Sequence, residues 1–300
     1  AGIVIPYRPD PPIAVDGITE EWGTVNSSLQ FGRAEQVISL QDTWRGKSDL
    51  SAVAWLAWRP EGLFLAAEVT DDQFANSGPG AALYHGDHVE LFFDAAPDRE
   101  KTRDAFGEGQ FHIGISPGNL ADTRPVGSFG RCDPEVYWFF PNRGNIDGAT
   151  AAARKTANGW VLEAFLPWST LGVVQPRPGE AFKLELVVSD SDNAALPKQG
   201  KMMALSQAPW QFRKRARLLS ARLADSNGIV PAQTTTKDAV KQVILPLSRV
   251  APETYIEKEF DFQPDAGTTP ALLIRALLES DKNNGDTFAM NVYLNGKMVD

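Results

Sequence analysis

Residues 51–72, SAVAWLAWRPEGLFLAAEVTDD, constrain the fold more tightly than any other stretch of this chain. Two apolar runs flank Arg59-Pro60-Glu61-Gly62, with Pro60 and Gly62 where turn chemistry needs them. Val53, Trp55 and Ala57 alternate along the first run, and Leu63, Leu65, Ala67 and Val69 line one face of the second. The segment predicts a β-hairpin. In HVELFFDA, Val89, Leu91 and Phe93 share one face, and Glu90, Phe92 and Asp94 share the other. GQFHIGIS sets Phe111, Ile113 and Ile115 against Gln110, His112 and Gly114 in the same way. GWVLEAFLPW and AFKLELVVSD are mostly apolar, as strands buried on both faces should be. Turn formers interrupt these runs about every ten residues, the spacing of a sandwich or barrel.

The expected fold is therefore all-β, an antiparallel β-sandwich of immunoglobulin or jelly-roll type over residues 1–222. Residues 223–240, rich in turn formers and without a period, read as a linker. Residues 241–300 read as a second β-rich domain. Asn295-Gly296 marks a hairpin turn there, and the chain stops one strand later, which suggests a truncated sandwich.

Composition narrows the function. A net charge of -9, with no basic stripe interleaved with aromatics, argues against nucleic acid, whose affinity rests on phosphate neutralisation. Neutral ligands such as glycans need no positive field. No apolar run approaches the roughly 20 residues of a membrane span. Cys132 is the single cysteine, which leaves no disulfide framework and reads as a small buried hydrophobe. With eight tryptophans and a start at AGIVIP, the chain is expected to work outside the cytoplasm. No nucleophile elbow, phosphate loop, HExxH helix or dinucleotide fingerprint is present, so no catalysis is expected. His85 and His88 are three apart, which on a strand sends them to opposite faces. They read as structural, with Asp87 as a turn cap. Trp55, Trp58, Trp138, Trp160 and Trp168 read as core.

One ordered set of segments carries a family resemblance. IAVDGITEEW, AWLAWRPEGLFLAAEVTDD, YHGDHVELFFDA, GQFHIGIS, NGWVLEAFLPWSTLG and PRPGEAFKLELVVSDSDN together resemble the family 9 carbohydrate-binding modules, among the DOMON-like β-sandwiches, over about residues 3–222. The resemblance implies a non-catalytic module that holds an oligo- or polysaccharide between two aromatic rings on a concave sheet face. It places those rings at Tyr84 and Trp210. Glu90, Asp190 and Gln207 match hydroxyl-reading positions, while His112 stands where an arginine is usual and Val187 where a glutamine is. Those two departures leave the glycan open. The resemblance also implies a structural calcium, for which Asp16, Asp71, Asp72 and Asp94 offer hard oxygens near loop ends. Glu90 shares its face with Phe92, so its partner is a sugar, an arginine or a calcium ion. Two alternatives accompany this reading: a haem-binding electron-transfer domain using Met202, Met203 and His112, and the non-catalytic portion of a larger glycan-degrading enzyme.

Overall fold

A computed structural model describes residues 2–9, 12–24, 27–76, 78–95, 109–120, 132–141, 143–173, 175–193, 198–206 and 218–231, with the backbone of 292–294 and 297–299. The strands are β1 (Ile3–Ile5), β2 (Leu29–Phe31), β3 (Val37–Ser39), β4 (Leu50–Arg59), β5 (Gly62–Asp71), β6 (His88–Asp94), β7 (Gln110–Ser116) and β8 (Glu135–Phe140). They continue as β9 (Gly144–Asn145), β10 (Thr150–Thr156), β11 (Gly159–Pro167), β12 (Ala181–Asp190), β13 (Lys201–Ala204), β14 (Leu219–Leu223), β15 (Val292–Leu294) and β16 (Lys297–Val299).

The predicted hairpin is β4–β5, paired from Leu50↔Asp71 to Arg59↔Gly62. It sits inside a five-stranded sheet of order β10–β11–β5–β4–β2. The larger sheet runs β1–β14–β12–β6–β7–β8–β9. Long β12 pairs with β6 along one edge; on the other, β14 takes its first half and β13 its second. Pairing is antiparallel except for β1, which lies parallel to β14.

Alternation decides what each face does. Leu91 and Phe93 of β6, Ile113 and Ile115 of β7, and Leu184, Leu186 and Val188 of β12 meet Leu56, Leu63, Leu65, Leu162 and Leu166 of the smaller sheet. Burying each such side chain contributes about 1.5–3 kcal/mol, and this cluster is the main source of stability. Trp58, Trp160 and Trp168 belong to it, as expected, and Trp138 packs against it half-buried. Trp55 instead faces the outer side of the smaller sheet, where Ile13 and Trp22 cover Ala57, Phe64 and Ala66. The outer side of the larger sheet carries Phe92, Val187, Met202 and Ala204, closed over by Ile38 and Leu218.

Residues 1–240 form one compact unit and residues 241–300 a second. The first sandwich runs past 222: Leu223 and Ala224 are fully buried, Ala224 N donates to Ile5 O, and Arg222 donates to Pro231 O. Leu223 and Ala224 thus pack as part of the sandwich, while 225–231 lie at its surface. In the second unit β15 and β16 pair antiparallel around Asn295-Gly296. The other strands expected there lie outside the described residues. No described helix is long and apolar enough to cross a membrane.

Candidate functional site

The outer face of the larger sheet collects polar groups that a core would not tolerate singly. His88, Glu90 and Phe92 alternate outward along β6, and β7 brings His112 beside Phe92 and Gly114 beside Glu90. Glu90 is only 3% exposed. His88 Nε2 lies 3.0 Å from its Oε1 and His112 Nε2 3.0 Å from its Oε2, with the Gln199 amide at 3.5 Å. His88 Nδ1 is 2.7 Å from the Gly86 carbonyl, which can only accept. The Nδ1 proton is thereby placed, and Nε2 is turned to the Glu90 carboxylate. Burial alone would push the Glu90 carboxyl up, but the hydrogen bonds from His112 and His88 outweigh it. They hold the group well below the usual carboxylate range.

Aromatic rings extend the site from this floor. His112 stacks on Phe92 with ring centres 4.1 Å apart, and Phe139 of β8 lies 4.9 Å from His112. Tyr84, on the short 3-10 helix Gly80–His85, meets Phe139 edge-on at 6.5 Å and is 40% exposed. Gly114 permits this arrangement, because a Cβ there would come within 2.5 Å of Phe139 and 2.7 Å of Leu83. An exposed ring beside a buried carboxylate and an imidazole edge can stack on a sugar's C–H face and bond its hydroxyls. A carboxylate has about four acceptor positions, so Glu90 keeps capacity beyond its two histidines.

The expected site residues divide accordingly. Tyr84, Glu90 and His112 come together on one face. Gln207 and Trp210 lie outside the described residues. Asp190 does not join them. Glu90 pairs across from Val187, and Asp190 is three residues further along β12, so it points through the sheet to the opposite side. There it sits 3.1 Å from Lys201 Nζ, and burial, opposed by that ammonium, pushes its carboxyl up to about 7. A Glu90–Asp190 glycosidase pair is excluded by the same geometry. Met203 points into the core and His112 Nε2 is engaged by Glu90, so nothing among the described residues supports the haem alternative.

Two residues that the sequence did not single out belong to this face. One is His88, set aside in the motif HGDH because it was weighed against His85; its parity with Glu90 was the usable signal. Asp87 behaves as a cap, accepting from the Ala75 and Ser191 amides. The other is Glu185, an isolated charge in AFKLELVVSD. It is fully buried opposite Phe92 and accepts from the amides of Leu186 and Ser206, the residue immediately before Gln207. Burial pushes Glu185 up to about 7, against those hydrogen bonds. Between its ordinary value of 4.5 and about 7, the native state keeps a proton that the unfolded chain has lost. Stability therefore falls as pH rises through that window. Glu185→Gln should remove this slope and be about 1–3 kcal/mol more stable than the parent above it, read by urea unfolding at either end of the window.

The four aspartates expected to hold calcium do not converge. Asp16 caps Ile18 N at 2.8 Å on the outer side of the smaller sheet. Asp94 accepts from Gln110 at the far end of β6, about 20 Å by strand rise from the end near Asp71. Asp71 accepts from Gln73 N. Only Asp72 joins a carboxylate group, with Asp49 and Asp192, whose oxygens lie within 4.8 Å of one another. That group does not suit a metal, because two side-chain cations already bridge it. Arg45 Nη2 lies 2.7 Å from Asp49 and 3.0 Å from Asp72, and Lys201 Nζ lies 2.7 Å from Asp49 and 2.8 Å from Asp192.

Comparison with known proteins identifies the family and the fold. A family model described as carbohydrate family 9 binding domain-like matches residues 20–218. A family 9 carbohydrate-binding module from Caldicellulosiruptor kristjanssonii, solved with cellotriose, is similar with a TM-score of 0.55 at 17% identity, over 76% of this chain and 97% of that one. The glucose complex from the same organism is similar with a TM-score of 0.53 at 18% identity, over 76% and 99%. No curated protein matches the chain.

Proposed function

We propose, starting from the fact that this chain belongs to the carbohydrate family 9 binding domain-like family, that its first unit binds a saccharide without catalysis on the outer face of the larger sheet. The observation that carries the reading is the run of Tyr84, Phe139, His112 and Glu90 along that face, in which Tyr84, the one exposed aromatic ring among the described residues, leads through Phe139 and His112 to the buried carboxylate. The cellotriose and glucose held by the two similar modules make glucose-based oligosaccharides the first ligands to try. A polysaccharide partner implies work outside the cytoplasm. If the complete protein degrades its ligand, turnover belongs to a separate linked domain.

Calorimetric titration with glucose, cello-oligosaccharides and xylo-oligosaccharides tests this directly. Tyr84→Ala is expected to weaken binding by about tenfold or more, the worth of one stacked ring, while leaving the melting temperature within a few degrees. A folded parent that binds no saccharide refutes the function. Unchanged affinity in Tyr84→Ala refutes the site.

A further inference from the structure

We propose that Lys201 takes the place of a structural divalent cation at the end of the sandwich where β5 and β12 finish and β4 and β13 begin. Its side chain is 2% exposed, yet its ammonium meets three carboxylates: Asp49 at 2.7 Å, Asp192 at 2.8 Å and Asp190 at 3.1 Å. The ammonium donates to Asp49 and Asp192, and Asp190 adds its charge at 3.1 Å. Register puts it there. β13 pairs with β12 so that Lys201 stands opposite Asp190, with both side chains on the inner side of the sheet. The three aspartates come from two segments far apart in sequence: Asp49 from the loop before β4, and Asp190 and Asp192 from the end of β12 and just beyond it.

Tying loops together through carboxylates around one positive centre is what a structural calcium does in other folds. Here the centre is covalent. Arg45 closes the outer side, 2.7 Å from Asp49, 3.0 Å from Asp72 and 3.8 Å from Asp192. A metal ion entering the same gap would displace hydrogen-bonded protons and face the ammonium at contact distance. The carboxylates also keep the lysine charged: burial pulls its pKa down, and the hydrogen bonds it donates to Asp192 and Asp49 more than reverse that. The consequence is a domain that folds independently of calcium, with a latent cation site exposed only when the lysine is removed.

Thermal unfolding of the full chain, in excess chelator and in excess calcium, tests the proposal. The parent should melt at the same temperature in both solutions. Lys201→Ala should lose about 10 °C in chelator, because buried like charges are left facing one another, and should regain most of it in calcium. A variant that folds only in calcium and unfolds on chelation supports the proposal equally. A parent that is stabilised by calcium, or destabilised by chelator, overturns it. So does a Lys201→Ala melting temperature that is identical in the two solutions. Should Lys201→Ala fold in neither, Lys201→Met restores the buried stem without the charge; its indifference to calcium then overturns the proposal, and its stabilisation by calcium supports it.

Discussion

Glu90→Ala is expected to abolish saccharide binding and to cost about 3–5 kcal/mol of stability, the usual effect of breaking a buried charge pair from one side. The size follows from what is left behind. His88 is fully buried with Nδ1 committed to Gly86 O, so its Nε2 would lose its polar partner. His112 would lose its 3.0 Å partner as well. Glu90→Gln should recover less than its shape suggests, because one carboxylate oxygen becomes an NH2 aimed at an imidazole N–H. The acid limb of the stability profile supplies a second reading. Glu90 stays ionised in the native state, so the unfolded chain binds the extra proton as pH falls below the ordinary value of 4.5. Its contribution is complete above that value and is lost as pH falls further. Urea unfolding from neutral pH downward should show a steep acid limb in the parent and a shallow one in Glu90→Ala. Equal limbs would mean that the carboxylate is not the partner of the two histidines.

The second large effect is expected at Glu163, on the other sheet. Its carboxylate is fully buried on the outer side of β11 and gathers four donors. The amides of Asp16, Gly17 and Ile18 reach Oε2 at 3.0, 2.7 and 3.2 Å, and the Trp22 indole reaches Oε1 at 2.6 Å. One side chain thus holds the segment that carries Ile13 and Trp22 onto Ala57, Phe64 and Ala66. Glu163→Ala leaves those donors without an acceptor and frees the segment to lift. A loss of about 4 kcal/mol or more is expected, from several unmet donors at 1–3 kcal/mol each, offset where water reaches them. Glu163→Gln retains one acceptor oxygen and should fall between. Saccharide affinity should not change, because the site lies on the opposite sheet. A variant that loses affinity at unchanged stability would contradict that separation.

The contrast between these two glutamates shows what could be read in advance. Both are isolated charges in apolar strands, but only Glu90 was expected to need a buried partner. Period two placed Glu90 with Phe92 correctly, and it would have placed His88 there had the residue been compared with Glu90 and not with His85. For Glu185 and Asp190 the same rule had no contrast to work with, since β12 is apolar on both sides and neither face announces itself. Asp16, Asp71, Asp72 and Asp94 looked alike as loop-end oxygens, but loop ends at opposite ends of a sandwich never meet.

The hairpin 51–72 and the alternating strands after it determined, from sequence alone, that the chain forms two-faced sheets and which side chains share a face within each strand. Alternation is a property of the local backbone and needs no knowledge of neighbours. Which faces meet across strands was decided only in the folded chain. Register set His112 against Glu90, Lys201 against Asp190 and Gly114 beside Phe139, and register depends on contacts between segments far apart in sequence. A one-residue slip in any of those pairings would turn the same side chains to the other side of the sheet.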